Sequence, residues 1–150
     1  IQSRIKKKSV KIALYYPSNF ELNVLKILEF KNISSKDILL PATTKNNFMN
    51  FFSWKKREVL FVNKFGILEP AKTQAKVPDI MLVPLLAFDK NRYRLGYGKG
   101  YYDRYLNKCL KKFKNILTVG VAFSFQRYHK LPINRNDVKM DFIITEKGIY

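Results

Sequence analysis

The sequence predicts an α/β protein built on a mostly parallel sheet flanked by helices. Three observations point there. β-branched and aromatic runs recur at 10–16, 80–84, 116–123 and 142–145, a glycine-rich segment spans 94–100, and apolar residues at helical spacing follow it. Strand, glycine loop, helix and strand in that order form a βαβ unit, whose crossover between parallel strands is right-handed. A chain of 150 residues that is 47% hydrophobic can bury one core, so residues 1–150 are expected to form a single domain.

Taken in order, VKIALYY at 10–16 is a buried strand stopped by Pro17 and Ser18. Leu22, Leu25, Ile27, Leu28 and Phe30 then give a helical apolar face, with Glu21 at its start, where a carboxylate ordinarily interacts with the helix dipole. DILLP at 37–41 is a second short strand closed by proline. NNFMNFFSW at 46–54 reads as a strand of an inserted hairpin. Met49, Phe51 and Trp54 there are available to line an apolar cleft, although core packing is the commoner use of such residues. Residues 59–70 carry a short strand or helix followed by a turn at Gly66, and 71–78 are loop-like. IMLVP at 80–84 is a central, fully buried strand, ILTVGVAF at 116–123 another, and FIIT at 142–145 the last.

RLGYGKGYYDRYL, at 94–106, is the strongest chemical signal. Glycines 96, 98 and 100 let a ligand approach the main chain, and Lys99 adds a mobile cation. Tyr102, Tyr105, Leu106, Cys109, Leu110 and Phe113 place a helix just beyond, beginning near Gly100. Its free N–H groups and positive dipole end point into the loop, which suits a phosphate; the plain alternative is a tight turn. Asp103, in the first turn, is either a helix-stabilising charge or a ligand for the Mg2+ that accompanies a nucleotide. Asp137 is a second possible metal carboxylate, with an Asx-turn as the plain alternative. In open α/β sheets ligands gather at the carboxyl ends of strands, where Tyr16, the glycine loop and the 124–140 connection all fall.

Composition narrows the remainder. One cysteine, Cys109, excludes an internal disulfide and a cysteine-based zinc cluster. His129 stands in a basic polar loop without a catalytic partner, so a surface role is expected. Net charge is +18, and 22 of the 29 basic residues are lysines spread along the chain, which favours compositional drift over a dedicated polyanion surface. Basic residues interleaved with aromatics on one face, the mark of a nucleic-acid module, are not seen, so no specific nucleic-acid partner is expected. No apolar run reaches membrane-span length, and the start lacks a signal-peptide core and cleavage site. A cytoplasmic protein that avoids membranes is therefore expected, and a monomer is the expected state.

The stretch VPLLAFDKNRYRLGYGKGYYDRYL resembles the 5-formyltetrahydrofolate cyclo-ligase family, and so do FGILEP at 65–70, NDVKMDFIITE at 136–146 and a Glu soon after the first strand. The resemblance implies a fold related to the ribose-phosphate isomerase and CoA-transferase group. It implies ATP- and Mg2+-dependent closure of 5-formyltetrahydrofolate to 5,10-methenyltetrahydrofolate, with ADP and phosphate released. Carried over by motif, ATP lies on Arg94, Leu95, Gly96, Tyr97, Gly98, Lys99, Gly100, Tyr101 and Tyr102, with Arg94 and Lys99 as the catalytic cations. Asp103 and Asp137 become the Mg2+ ligands. Tyr16, Glu21, Met49, Phe65, Tyr101 and Tyr102 border the folate, Glu21 accepting from pterin N–H groups, and Trp54 is a further candidate. The family begins with an additional N-terminal helix whose Lys and Arg residues contact the ATP phosphates. Starting at Ile1, this sequence is expected to lack that helix, with Arg4 and Lys6 to Lys8 too close to the first strand to replace it. The alternatives are a shortened relative that binds folate but uses ATP weakly, and a basic nucleic-acid-binding domain.

Overall fold

The computed structural model describes residues 9–18, 20–34, 37–112 and 115–150. Its centre is an eight-stranded sheet. In chain order the strands are β1 (Lys11–Ala13), β2 (Asp37–Thr43), β3 (Met49–Ser53), β4 (Phe61–Val62), β5 (Leu68–Glu69), β6 (Ala75–Lys76), β7 (Ile80–Val83), β8 (Ala87–Asp89), β9 (Arg94–Leu95), β10 (Leu117–Val121), β11 (Arg127–Tyr128), β12 (Phe142–Thr145) and β13 (Gly148–Ile149). The helices are α1 (Lys31–Ser34) and α2 (Tyr101–Lys112), preceded by a 3-10 segment at Val24–Glu29. The main sheet runs β13-β12-β10-β7-β1-β2-β3-β6. Pairs β12-β10, β10-β7, β7-β1 and β1-β2 are parallel, while β13, β3 and β6 add antiparallel edges. The expected α/β fold with a mostly parallel sheet is thus the fold observed.

Period-two alternation divides the apolar side chains between two faces. Ala13, Leu39, Phe51, Met81 and Val83 pack beneath Tyr105, Leu106 and Cys109 of α2. Ile12, Leu14, Ile38, Leu40 and Trp54 pack on the other face against Val24 and Leu28. Side chains at i, i+1 and i+4 of α2, namely Tyr105, Leu106 and Cys109, supply its buried stripe, as the spacing predicts; Phe113 lies outside the described residues.

Several elements differ from expectation. The apolar pattern after Glu21 forms a 3-10 segment capped by Asn23, whose side chain accepts from Leu25 N–H at 3.1 Å, and α1 is only four residues long. Glu21 therefore precedes the cap and does not serve a helix dipole. β2 continues through Pro41 to Thr43. Leu39 C=O accepts from Leu14 N–H, so the main-chain groups of residue 41 face the same way, beyond the last paired residue of β1; there a missing N–H costs no ladder bond. β3 belongs to the main sheet, paired antiparallel with β2, and is not part of an inserted hairpin. The inserted hairpin is β4-β5 instead. After β12 the chain turns back as β13, one strand more than expected. Among the described residues, no helix is long and apolar enough to cross a membrane.

Candidate functional site

β1 is a switch point. The chain passes from β1 to β2 and β3 on one side, then returns to place β7 and β10 on the other. At such a point the loops leaving neighbouring strands diverge and open a crevice at their carboxyl ends. A cleft of about 490 Å3 occupies this position, lined by Tyr15 and Tyr16 after β1, Pro84 after β7 and Thr43 at the end of β2. The glycine loop closes it on one side and the β4-β5 hairpin on another.

The glycine loop is shaped by backbone and by cation. Gly98 adopts φ +85°, a conformation that side chains strain to reach. A Cβ on Gly96 would stand 2.8 Å from Arg94 Nη1, so glycine there permits the guanidinium to lie against the main chain. Arg94 Nη2 donates to Asp103 Oδ2 at 3.0 Å, and its side chain is only 5% exposed. Its Nε is buried with no hydrogen-bond partner among the described residues, an orphaned donor beside the cleft. Lys99 Nζ sits 3.4 Å from the centre of the Phe65 ring, which in turn meets the edge of Tyr101 at 6.4 Å. Arg104 braces the loop by donating to Lys99 C=O at 2.7 Å and Asn47 C=O at 2.9 Å.

Opposite the loop, Glu21 Oε2 accepts from Ser18 N–H at 2.8 Å and Ser18 Oγ at 3.2 Å. Tyr97 adds its hydroxyl to the same carboxylate. Burial pushes the Glu21 carboxyl above its ordinary range, and the Ser18 and Tyr97 hydrogen bonds hold it back only in part. Burial also raises the Tyr102 hydroxyl, with the Glu21 charge adding to the effect and Arg94 opposing it. A carboxylate kept partly dry and aimed into a cleft is a hydrogen-bond acceptor waiting for N–H donors.

Of the residues singled out in the sequence, Tyr16, Glu21, Met49, Phe65, Arg94, Gly96, Tyr97, Gly98, Lys99, Gly100, Tyr101 and Tyr102 line this one cleft. Leu95 sits on β9 with its side chain 43% exposed, and does not line it. Trp54 packs into the opposite face of the sheet and donates Nε1–H to Glu58 C=O at 3.2 Å, so it is a core residue and not a cleft wall. Asp103 and Asp137 stand behind the loop, outside the lining. Asp103 Oδ1 accepts from Val138 N–H at 3.1 Å, which brings the neighbouring Asp137 close. Asp137 Oδ2 reaches back to accept from Asn134 N–H at 2.8 Å, and the Asx-turn of this loop belongs to Asn134, whose Oδ1 accepts from Asn136 N–H at 2.9 Å. Among the described residues no three His, Cys, Asp or Glu side chains cluster as a metal site, so an Mg2+ held here by one or two carboxylates would need further oxygen ligands from water or phosphate. Arg4 and Lys6 to Lys8 lie outside the described residues. His129 is exposed and Cys109 buried, as expected.

The structure adds cleft residues that the sequence reading passed over. Tyr15, next to Tyr16, donates its hydroxyl to Leu22 C=O at 3.0 Å. Glu69 and Asn63 join Thr43 at the far wall. A signal was present, because Asn63-Lys64-Phe65-Gly66 has Asn first and Gly fourth, the pattern of a turn that closes a hairpin.

The profile of the 5-formyltetrahydrofolate cyclo-ligase family matches residues 1–146. The chain belongs to this family. Its members are ligases, and two relatives bear the name. A probable 5-formyltetrahydrofolate cyclo-ligase of Schizosaccharomyces pombe is 32% identical over 76% of this chain and 63% of its own length. The 5-formyltetrahydrofolate cyclo-ligase of Haemophilus influenzae is 32% identical over 89% of this chain and 74% of its own. The solved 5,10-methenyltetrahydrofolate synthetase of Aquifex aeolicus superposes with a TM-score of 0.74 at 36% identity, covering 95% of this chain and 71% of that one. The chain thus spans under two thirds of the fission yeast relative and about three quarters of the bacterial ones. Within the cyclo-ligase family, the cleft at the β1 switch point is the candidate active site.

Proposed function

We propose that this protein cyclises 5-formyltetrahydrofolate to 5,10-methenyltetrahydrofolate at the expense of ATP, with Mg2+, and that it does so as a cytoplasmic monomer. One observation supports this most strongly. A single cleft brings the cations of the glycine loop, Arg94 and Lys99, together with the aromatic side chains Phe65 and Tyr101 and the partly dry carboxylate of Glu21. Phosphate, flat ring and ring N–H donors are the three features that such a set would recognise.

In the reaction, the formyl oxygen takes the γ-phosphoryl group of ATP and ADP leaves. N10 then attacks the activated formyl carbon, loses its proton, and phosphate departs with the former formyl oxygen. Phosphoryl transfer asks the protein chiefly for alignment and charge stabilisation. In this reading the main-chain N–H groups of residues 96–100 hold the phosphates, and Arg94 and Lys99 balance charge developing on them. Asp103 and Asp137 would hold Mg2+, which supplies further neutralisation of the phosphate oxygens. Glu21 orients the pterin, while Tyr16, Met49, Phe65, Tyr101 and Tyr102 border it. The test is the rise in methenyl absorbance when the chain is incubated with 5-formyltetrahydrofolate, ATP and Mg2+. No rise at high protein concentration, with folate binding but no nucleotide binding by calorimetry, would replace the ligase reading with that of a folate-binding relative.

A further inference from the structure

We propose that Asn63 and Glu69 are positioning residues, which set Phe65 against Lys99 and thereby fix where the loop cation stands in the cleft. The inference rests on the functional reading above only for its kinetic consequence; the geometry stands without it.

Asn63 builds the tip of the β4-β5 hairpin. Its Oδ1 accepts from Phe65 N–H at 2.8 Å and Ile67 N–H at 3.0 Å, its own N–H donates to Ile67 C=O at 2.9 Å, and Gly66 N–H returns to Asn63 C=O at 3.0 Å. Gly66 takes φ +75°, which lets the chain reverse after the turn. An N–H of the Asn63 amide goes to Glu69. Nδ2 meets Oε1 at 2.8 Å.

Glu69 is a buried carboxylate, 6% exposed, on a two-residue strand. Besides Asn63, its Oε1 accepts from Thr43 N–H at 2.7 Å and Thr43 Oγ1 at 2.8 Å, and Lys72 Nζ approaches Oε2 at 3.5 Å. Thr43 ends β2, a central strand of the main sheet. A continuous path of hydrogen bonds therefore runs from the sheet through Glu69 and Asn63 to the main chain of Phe65. The Phe65 ring is the surface on which Lys99 Nζ rests, 3.4 Å from its centre. A hairpin joined by only two residue pairs has little rigidity of its own, so this anchor decides where its tip lies.

The contact can be read directly by limited acylation of the full chain, with Lys99 labelling quantified by peptide mass spectrometry. Phe65→Leu should raise Lys99 labelling about threefold, the factor expected for losing an exposed cation–π contact. Asn63→Asp keeps the acceptor for the tip but turns a donor into an oxygen facing Glu69, and Asn63→Ala removes both. Each should reproduce that rise, with no further increase when combined with Phe65→Leu. Glu69→Gln retains an oxygen for Thr43 and Asn63 and should stay near wild type. Labelling of Lys11, paired with Asp79 at 3.2 Å, should stay constant in every variant that keeps the fold. With Lys11 constant, unchanged Lys99 labelling in Asn63→Asp, or additive rises in the double variant, would overturn the proposal. The kinetic arm expects KM for ATP to rise more than kcat falls in Asn63→Asp. A wild-type chain without turnover would remove the ligase reading, yet the labelling result would still decide the positioning role.

Discussion

Arg94 and Asp103 are bound to each other at 3.0 Å, one at the start of the glycine loop and the other in the first turn of the helix that follows it. The pair closes the loop on itself and holds a guanidinium that water scarcely reaches. Asp103 is 19% exposed, so neither charge is bathed in solvent. Asp103→Ala should leave an uncompensated buried cation and cost about 3 kcal/mol in urea denaturation. Asp103→Asn should cost less, because an amide oxygen still accepts from Arg94. It should nonetheless abolish the Mg2+ dependence of turnover, and wild-type turnover in that variant would exclude Asp103 from the metal site.

Glu21 sets a pH dependence whose sign follows from its raised carboxyl. Burial is the leading cause, so the ionised acceptor is lost on acidification at a pH above the ordinary value of 4.5. Folate affinity followed by fluorescence should fall as pH drops through that raised value, and Glu21→Gln should remove the acid limb. Tyr97→Phe deletes a hydrogen bond that lowers Glu21, so it should shift the limb to higher pH. Stability moves the opposite way. The raised folded value favours the native state fully below pH 4.5, and this contribution, measured against Glu21→Gln, should vanish as pH rises through the folded value.

Glu69 reverses the sign. Burial raises its carboxyl, but the hydrogen bonds from Thr43 and Asn63 and the Lys72 charge outweigh burial and leave it below 4.5. Its contribution should be present above pH 4.5 and lost as pH falls through the lower folded value. Acid titration of wild type against Glu69→Gln, by circular dichroism, checks the difference.

Two glycine substitutions separate strain from crowding. Nothing lies within 4 Å of a Cβ on Gly98, so Gly98→Ala should cost about 1 kcal/mol from its φ of +85° alone. Gly96→Ala would instead press on Arg94 at 2.8 Å. It should weaken nucleotide binding more than it lowers the melting temperature, by calorimetry and thermal denaturation respectively.

Trp54→Phe should lower stability by about 1 kcal/mol through the lost bond to Glu58 C=O, with folate affinity unchanged. A fall in affinity would return Trp54 to the cleft.

The strands at 80–83, 117–121 and 142–145 and the start of α2 are legible in the chain, because each strand rests on a short apolar run and the helix on an apolar spacing that opens at Gly100. The residues after Glu21 mislead for the same reason. Their apolar spacing suits a helix, but Asn23 caps a short 3-10 segment whose face is held by the sheet and not by helical length. Pro41 reads as a stop, yet the end of β1 leaves its missing N–H without consequence.

By itself the sequence determined the local chemistry: a glycine loop with a lysine, a helix opening beneath it, and a carboxylate after the first strand. Those follow from neighbours within a few residues. Only the tertiary structure decided that Glu21, Thr43, Phe65 and Lys99 share one cleft, that Trp54 turns away from it, and that Glu69 and Asn63 anchor its wall. The physical reason is strand register. Side chains alternate between the faces of a sheet, so a shift of one residue sends a side chain to the opposite side, and register is settled by pairing between distant segments.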